Sequence, residues 1–207
     1  MSKPKLLLIG AGGHANSCID VIEQEGKFEI AGLVGLPNQL GNKHFGYEVI
    51  GTDSELEMLF MQFKFALITV GQIERAKVRI RLYETIKAIG FKVPSIISKS
   101  AYISNHAIIS DGTIIMHNAI VNSGAHIGEN CIINTSSLIE HDVMVSNHCH
   151  ISTGVTVNGG VRIGRNTFIG SRSLIRENLS IGDNCVIGMG TILLNNMLNE
   201  SRKIGNK

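Results

Sequence analysis

The stretch NTSSLIEHDVMVSNHCHIST (134–153) holds three of the chain's eight histidines, His141, His148 and His150. An imidazole titrates near neutral pH, so it can take a proton from an attacking amine or hydroxyl. His141 is the one followed directly by a carboxylate, Asp142, which would raise its basicity. Three histidines could also ligate a metal ion, or simply pack. A second stretch, LLIGAGGHA (7–15), spaces Gly10, Gly12 and Ala15 as GxGxxA between an apolar run and a helical one, the arrangement that offers phosphates the free amides of a helix N-terminus. A dinucleotide site would add an acid at the end of the next strand, and the chain reads Leu33, Val34, Gly35 there. With fewer than about 100 residues in this half, the phosphates belong to something smaller than a dinucleotide.

The elements that must hold these residues fall into two kinds. Up to about Ser95, short apolar runs alternate with helical stretches. KLLLIG, FEIAGLVG and FALITVG read as strands, HANSCIDVIEQEG as a helix closed by Gly26, and IERAKVRIRLYETIKAIG as an amphipathic helix ending at Gly90. Such alternation predicts a small parallel, Rossmann-like α/β sheet over 1–95.

From Ile96 the period changes to six, and seventeen hexads run without insertion to Met197, leaving 198–207 as a tail. Their second position is Ile or Val, once Leu, and the sixth is mostly small. A short fixed repeat of this kind predicts a parallel β-helix over 96–197, each hexad giving one flat strand and one corner, with the branched residue inward. Three hexads make a coil, so residues eighteen apart stack at about 4.8 Å.

Stacking separates the three histidines. His141 takes position four of its hexad, a turn, between Ser123 and Gly159, where Gly159 and Gly160 leave a notch for a ligand. His150 takes position one, between Ile132 and Phe168, and points outward. His148, between Asn130 and Asn166, is expected at the surface, and His106, His117 and His126 as exposed or interfacial. No acidic or cysteine ligand shares an outward column with these histidines, so no metal site is predicted. Cys131 and Cys149 stack in the inward corner column as small core residues, and all four cysteines are expected as free thiols.

Composition narrows the class further. Charged residues make up 17% and the net charge is +2, with no basic stripe for nucleic acid. The apolar run after Lys5 is too short for a signal core or a membrane span, which reads as a soluble, cytoplasmic protein.

The hexad array resembles the left-handed parallel β-helix of the hexapeptide-repeat acyltransferases. NTSSLIEHD, CHISTG and NGGV, with the Gly12, Gly13, His14 loop, look like its sugar acetyltransferase branch, which includes UDP-4-amino-sugar N-acetyltransferases and sialic acid O-acetyltransferases. The resemblance implies a homotrimer with active sites between subunits and acetyl-CoA as donor. It implies His141 as general base raised by Asp142, and His150, Gly159, Ser171 and Met189 at the acetyl-CoA, with the Gly159 N–H on the thioester carbonyl. It further implies Gly12, Gly13 and His14 at a sugar nucleotide. At the end of strand two the UDP-sugar enzymes carry aspartates, and this chain has Val34 and Gly35. Acetyl transfer to the amine of a nucleotide-linked amino sugar is expected. Transfer to a hydroxyl of a sialic or related sugar, and a trimeric scaffold without activity, stay open.

Overall fold

The computed structural model describes residues 2–205. Strand β1 (Lys5–Ile9) is apolar on both faces because it lies inside its sheet, with β2 (Glu29–Gly35) on one side and a later strand, Phe65–Ile68, on the other. Helix α1 (Gly13–Glu25) follows β1 and ends at Gly26, whose φ of 72° is the left-handed conformation that closes helices. Two elements go beyond the sequence expectation: a hairpin of β3 (Lys43–His44) and β4 (Tyr47–Thr52), and the short helix α2 (Leu56–Gln62). Phe65–Ile68 is therefore β5, and the sheet runs β3-β4-β2-β1-β5, parallel except for β3 against β4. Helix α3 spans Lys77–Ile89, starting four residues later than the run from Ile73 suggests, and leaves Ile73 80% exposed outside it.

Seventeen two-residue strands then recur every six residues, from β6 (Ile96–Ile97) to β22 (Ile192–Leu193). They stack eighteen apart, as Ile120↔Leu138 and Val121↔Ile139 illustrate, into the three faces of a left-handed β-helix. The second residue of each pair fills the interior, with Ile115, Ile133, Ile151, Ile169 and Ile187 fully buried in one column. Ala119, Ala125, Cys131 and Cys149 fill the tight corners beside such residues, and none of the four cysteines is paired. The fifth hexad position is left-handed, with φ of 54–61° at Asn118, Asn130, Asp142, His148, Asn166 and Asn184. Asparagine, aspartate and glycine tolerate that conformation best. Beyond the seventeenth hexad, strand β23 (Arg202–Lys203) pairs with Val186–Ile187 and extends one face.

That face carries the N-terminal domain. Its outward residues Ile96, Ile114 and Ile132 are completely buried in one cluster with Leu6, Ile19 and Ile22. Fully burying such a side chain contributes about 1.5–3 kcal/mol, so the apolar contact dominates docking. Polar ties flank it. Asp20 of α1 meets His117 at 2.8 Å, and His117 reaches Ser98 at 2.7 Å. On the other side Tyr83 of α3 donates to Glu129 at 2.9 Å. A second face, beginning its strands at Tyr102, Ile120, Leu138, Thr156, Leu174 and Ile192, has no such cover among the described residues. Four of these, Tyr102, Ile120, Leu174 and Ile192, are 39–59% exposed. The third face is more polar, with Ile108, His126, Met144, Arg162 and Ser180 outward. Among the described residues no helix is long and apolar enough to cross a membrane.

Candidate active site

His141 stands at the corner between the uncovered apolar face and the polar face. Adjacent residues in a flat strand point to opposite sides, so the histidine and the following carboxylate meet only if the chain turns between them. The left-handed fifth position supplies that turn. Asp142, at φ 60°, folds its Oδ2 back to 2.9 Å from His141 Nδ1. Both side chains are largely exposed. The hydrogen bond that Nδ1–H donates to Asp142 holds the His141 imidazolium more favourably than water does and moves its pKa above the usual histidine value. With Nδ1 carrying the proton toward Asp142, the lone pair is left on Nε2.

Nε2 faces Gly159, stacked one coil further on. A Cβ built on Gly159 would lie 2.6 Å from Nε2, so only glycine leaves the ring face open there. The Gly159 N–H donates to no group among the described residues, whereas the neighbouring Gly160 N–H is taken by the His141 carbonyl at 3.0 Å. Glu140 belongs to this corner as well, and sequence reasoning passed over it. Its Oε2 accepts from Asn122 Nδ2 at 3.0 Å and from the His141 N–H at 3.3 Å. Position three of the hexad pointed to it, since residues 122, 140 and 158 stack in one column.

His150 points away from the coil, as its hexad position predicts, but the N-terminal domain covers it and leaves it 6% exposed. Nδ1 lies 2.5 Å from the Gln72 carbonyl and Nε2 3.1 Å from Asn134 Nδ2, while the ring stands edge-on to Phe168. Both nitrogens are occupied if Nδ1 donates and Nε2 accepts, which is the neutral tautomer. Burial pushes its pKa down to about 4. His148, expected at the surface, is half-buried at the other side of the junction, where its ring meets Tyr83 edge-on and its Nδ1 meets Asn130. Burial lowers its pKa also. In both cases the docked domain supplies the cover, and nothing in a six-residue period announces it.

Gly12 and Gly13 open α1 with no side-chain cap and no acidic residue in the first turn, and a Cβ at either would meet open space. These amides sit beside the point where strand order reverses between β2-β1 and β5, the position at which doubly wound sheets bind ligands. His14 follows them inward, its Nε2 buried without a partner among the described residues, and burial with Arg79 and His150 nearby lowers its pKa to about 3. Val34 and Gly35 end β2 as read from the sequence. The Gln39 side chain closes that end by donating to the Ala11 carbonyl at 2.9 Å and accepting from the Leu36 N–H at 2.8 Å. Arg79 ties the region together. Its Nη1 donates to the Ile68 and Val70 carbonyls at 2.8 Å each, and its Nε reaches the Asn130 carbonyl of the β-helix at 3.3 Å.

Ser171 and Met189 lie in one column at the opposite corner of the apolar face from His141, where Ser171 Oγ meets Ser152 Oγ at 2.9 Å and Met189 is 78% exposed. Within one chain the structure therefore brings together His141, Asp142 and Gly159, and leaves Ser171 and Met189 across the face from them. Among the described residues no group of three or more His, Cys, Asp or Glu is arranged to hold a metal ion.

Comparison with known proteins agrees with this architecture. Residues 5–86 match the PglD N-terminal domain, and residues 160–195 match the hexapeptide repeat of succinyl-transferase. The perosamine N-acetyltransferase PerB of Caulobacter crescentus, crystallised with CoA and GDP-perosamine, superposes with a TM-score of 0.90 at 26% identity over 97% of this chain and 94% of its own. The acetyltransferase domain of PglB from Neisseria gonorrhoeae, in complex with acetyl coenzyme A, gives 0.90 at 28% identity over 99% and 98%. WeeI of Acinetobacter baumannii shares the fold at 19% identity, with a TM-score of 0.84 over 98% and 97%. The chain resembles hexapeptide-repeat sugar acetyltransferases that carry a PglD-type N-terminal domain, and it is an acetyltransferase.

Proposed function

We propose that the chain transfers acetyl from acetyl-CoA to the amino group of a nucleotide-linked amino sugar, with His141 as general base. The observation that carries the reading is the His141–Asp142 pair at 2.9 Å with the open Gly159 directly over Nε2. Nε2 takes a proton from the acceptor amine as its nitrogen attacks the thioester carbonyl carbon. The developing oxyanion lies within reach of a free N–H at Gly159, the C–S bond breaks, and the imidazolium returns the proton to the leaving sulfur. No covalent enzyme intermediate is required. The uncapped amides of Gly12 and Gly13, with His14, serve the diphosphate of the acceptor. The two similar enzymes support donor and acceptor class, one holding acetyl coenzyme A and the other CoA with a GDP-linked sugar.

The uncovered apolar row from Tyr102 to Ile192 supports a homotrimer, since a contiguous exposed apolar stripe marks an interface. Packing that face against a second copy carries the Ser171–Met189 corner of one chain toward the His141 corner of the next, which makes the site a shared one. The combined substitution Ile120→Glu, Leu174→Glu is expected to give a monomer by light scattering, and a monomer in the unmodified protein would sink the shared site.

The deciding experiment incubates the protein with acetyl-CoA, a thiol-detecting reagent and a panel of GDP- and UDP-linked amino sugars and sialic acids. CoA release with an amino sugar supports the proposal. Release only with a sialic acid transfers the reading to oxygen, and release with none leaves the scaffold.

A further inference from the structure

The segment from Thr69 to Arg75, between β5 and α3, crosses from the sheet's carboxyl edge to the β-helix, and its details are not those of a passive connection. Gln72 is 1% exposed, yet neither its Nε2 nor its Oε1 has a hydrogen-bond partner among the described residues. Leaving such a group unpaired in the interior is costly, because it has given up its water partners for nothing. On the loop that faces Gly71, His14 Nε2 is in the same condition. The two loops touch, because a Cβ on Gly71 would sit 3.2 Å from the His14 Cβ. The next residue, Ile73, is 80% exposed, and Glu74 takes a left-handed φ of 59°. Glu74 is then held by Arg202 of the last coil at 2.8 Å, a pair with both side chains about half exposed. Exposed pairs of this kind hold weakly.

We propose that Gly71–Arg75 is a gate on the acceptor crevice, that Gln72 is a specificity residue for the diphosphate end of the acceptor, and that Glu74–Arg202 is the latch. This rests on the acceptor reading given above. The segment stays pinned at the Gln72 carbonyl by His150 Nδ1 and at the Val70 carbonyl by Arg79. What moves is the Gln72 side chain together with the portion beyond it, which lifts when the latch parts. Its Nε2 then donates to a phosphate oxygen already held at the Gly12 and Gly13 amides, and its Oε1 accepts from a hydroxyl of the sugar or ribose. The carboxamide exchanges two unpaired atoms for two paired ones, so the lifted arrangement is the one that a bound diphosphate favours.

Calorimetric titration of the full chain with GDP and with UDP separates the possibilities. If neither nucleotide binds, the nucleotide-acceptor reading fails and the gate with it. If one binds, Gln72→Leu is expected to weaken it at least about tenfold while leaving CoA affinity unchanged. Equal affinity in Gln72→Leu, accompanied by higher thermal stability, assigns Gln72 to packing and overturns the proposal. Should Gln72→Leu not fold, Arg202→Ala decides: a parted latch binds the nucleotide about two- to fivefold more tightly with faster association, and unchanged binding rejects the gate.

Discussion

His141 and His150 stand nine residues apart in one stretch of sequence, and the fold gives them opposite environments. One is exposed at a corner with a carboxylate on its Nδ1, and its pKa is raised. The other is sealed under the N-terminal domain with a carbonyl on its Nδ1, and its pKa falls to about 4. Nine residues is one and a half hexads, which changes the position within the hexad and the face of the prism together. The comparison teaches that in a β-helix the hexad frame sets which way a side chain leaves the coil, while whatever docks on that face sets the medium it enters. A base that must be charged in mid-reaction belongs on the open corner, and a histidine that joins domains belongs where charge is disfavoured.

The largest expected effect strikes the open corner. His141→Ala is expected to lower kcat by about 10²–10⁴, with KM for both substrates little changed, because it removes proton transfer and leaves binding. Steady-state kinetics would reject the assignment if turnover persisted. Gly159→Ala tests the space rather than the base. Its methyl would meet Nε2 at 2.6 Å and displace the imidazole, so a loss of about 10² in kcat is expected with the fold intact by circular dichroism.

The buried side of the comparison is read through stability. His14 and His150 have folded pKa values of about 3 and about 4, below the ordinary 6.5. An unfolded chain therefore binds protons on them that the folded chain refuses. Their contribution is fully present above about pH 6.5 and is lost as pH falls from there toward the folded values. Between neutral pH and pH 5 the two together are expected to cost about 4 kcal/mol, measured as urea unfolding free energy. His150→Phe, which keeps the edge contact with Phe168, should remove about half of that slope, and an unchanged slope would show that His150 is not the titrating group.

Particular residues show how far the sequence carried this picture. The seventeen strands, the inward isoleucines and the stacking of Gly159 over His141 follow from the six-residue period alone. So does the inward placement of Cys131 and Cys149. The meeting of Asp142 with His141 does not, because alternation in a strand separates neighbours, and only the left-handed fifth position reverses that. The cover over His148 and His150 is a product of long-range docking through Ile96, Ile114 and Ile132, whose outward isoleucines were the one available signal. The hairpin Lys43–Thr52 escaped notice because β3 is two residues long and β4 alternates weakly. Glu140 carried no motif, and its place in the corner appears only in what it touches.

The smallest expected effect, and the finest test of the contrast, is Asp142→Asn. The carboxylate is exposed, so water competes with it and its hold on the imidazolium is modest. A general base works only when unprotonated, so activity rises with pH through the His141 pKa. Asp142 raises that pKa, hence the acid limb of the wild-type profile should lie above the ordinary histidine value and move to lower pH in Asp142→Asn. The variant loses basicity and the fixed Nδ1–H tautomer, and a drop of about two- to tenfold in kcat above the limb is expected. Below it the two profiles should draw together, because the variant keeps more of its base unprotonated there. A profile that kept its limb while losing rate would mean that Asp142 orients the ring without tuning it. A limb that moved upward would contradict the electrostatic account of the corner altogether.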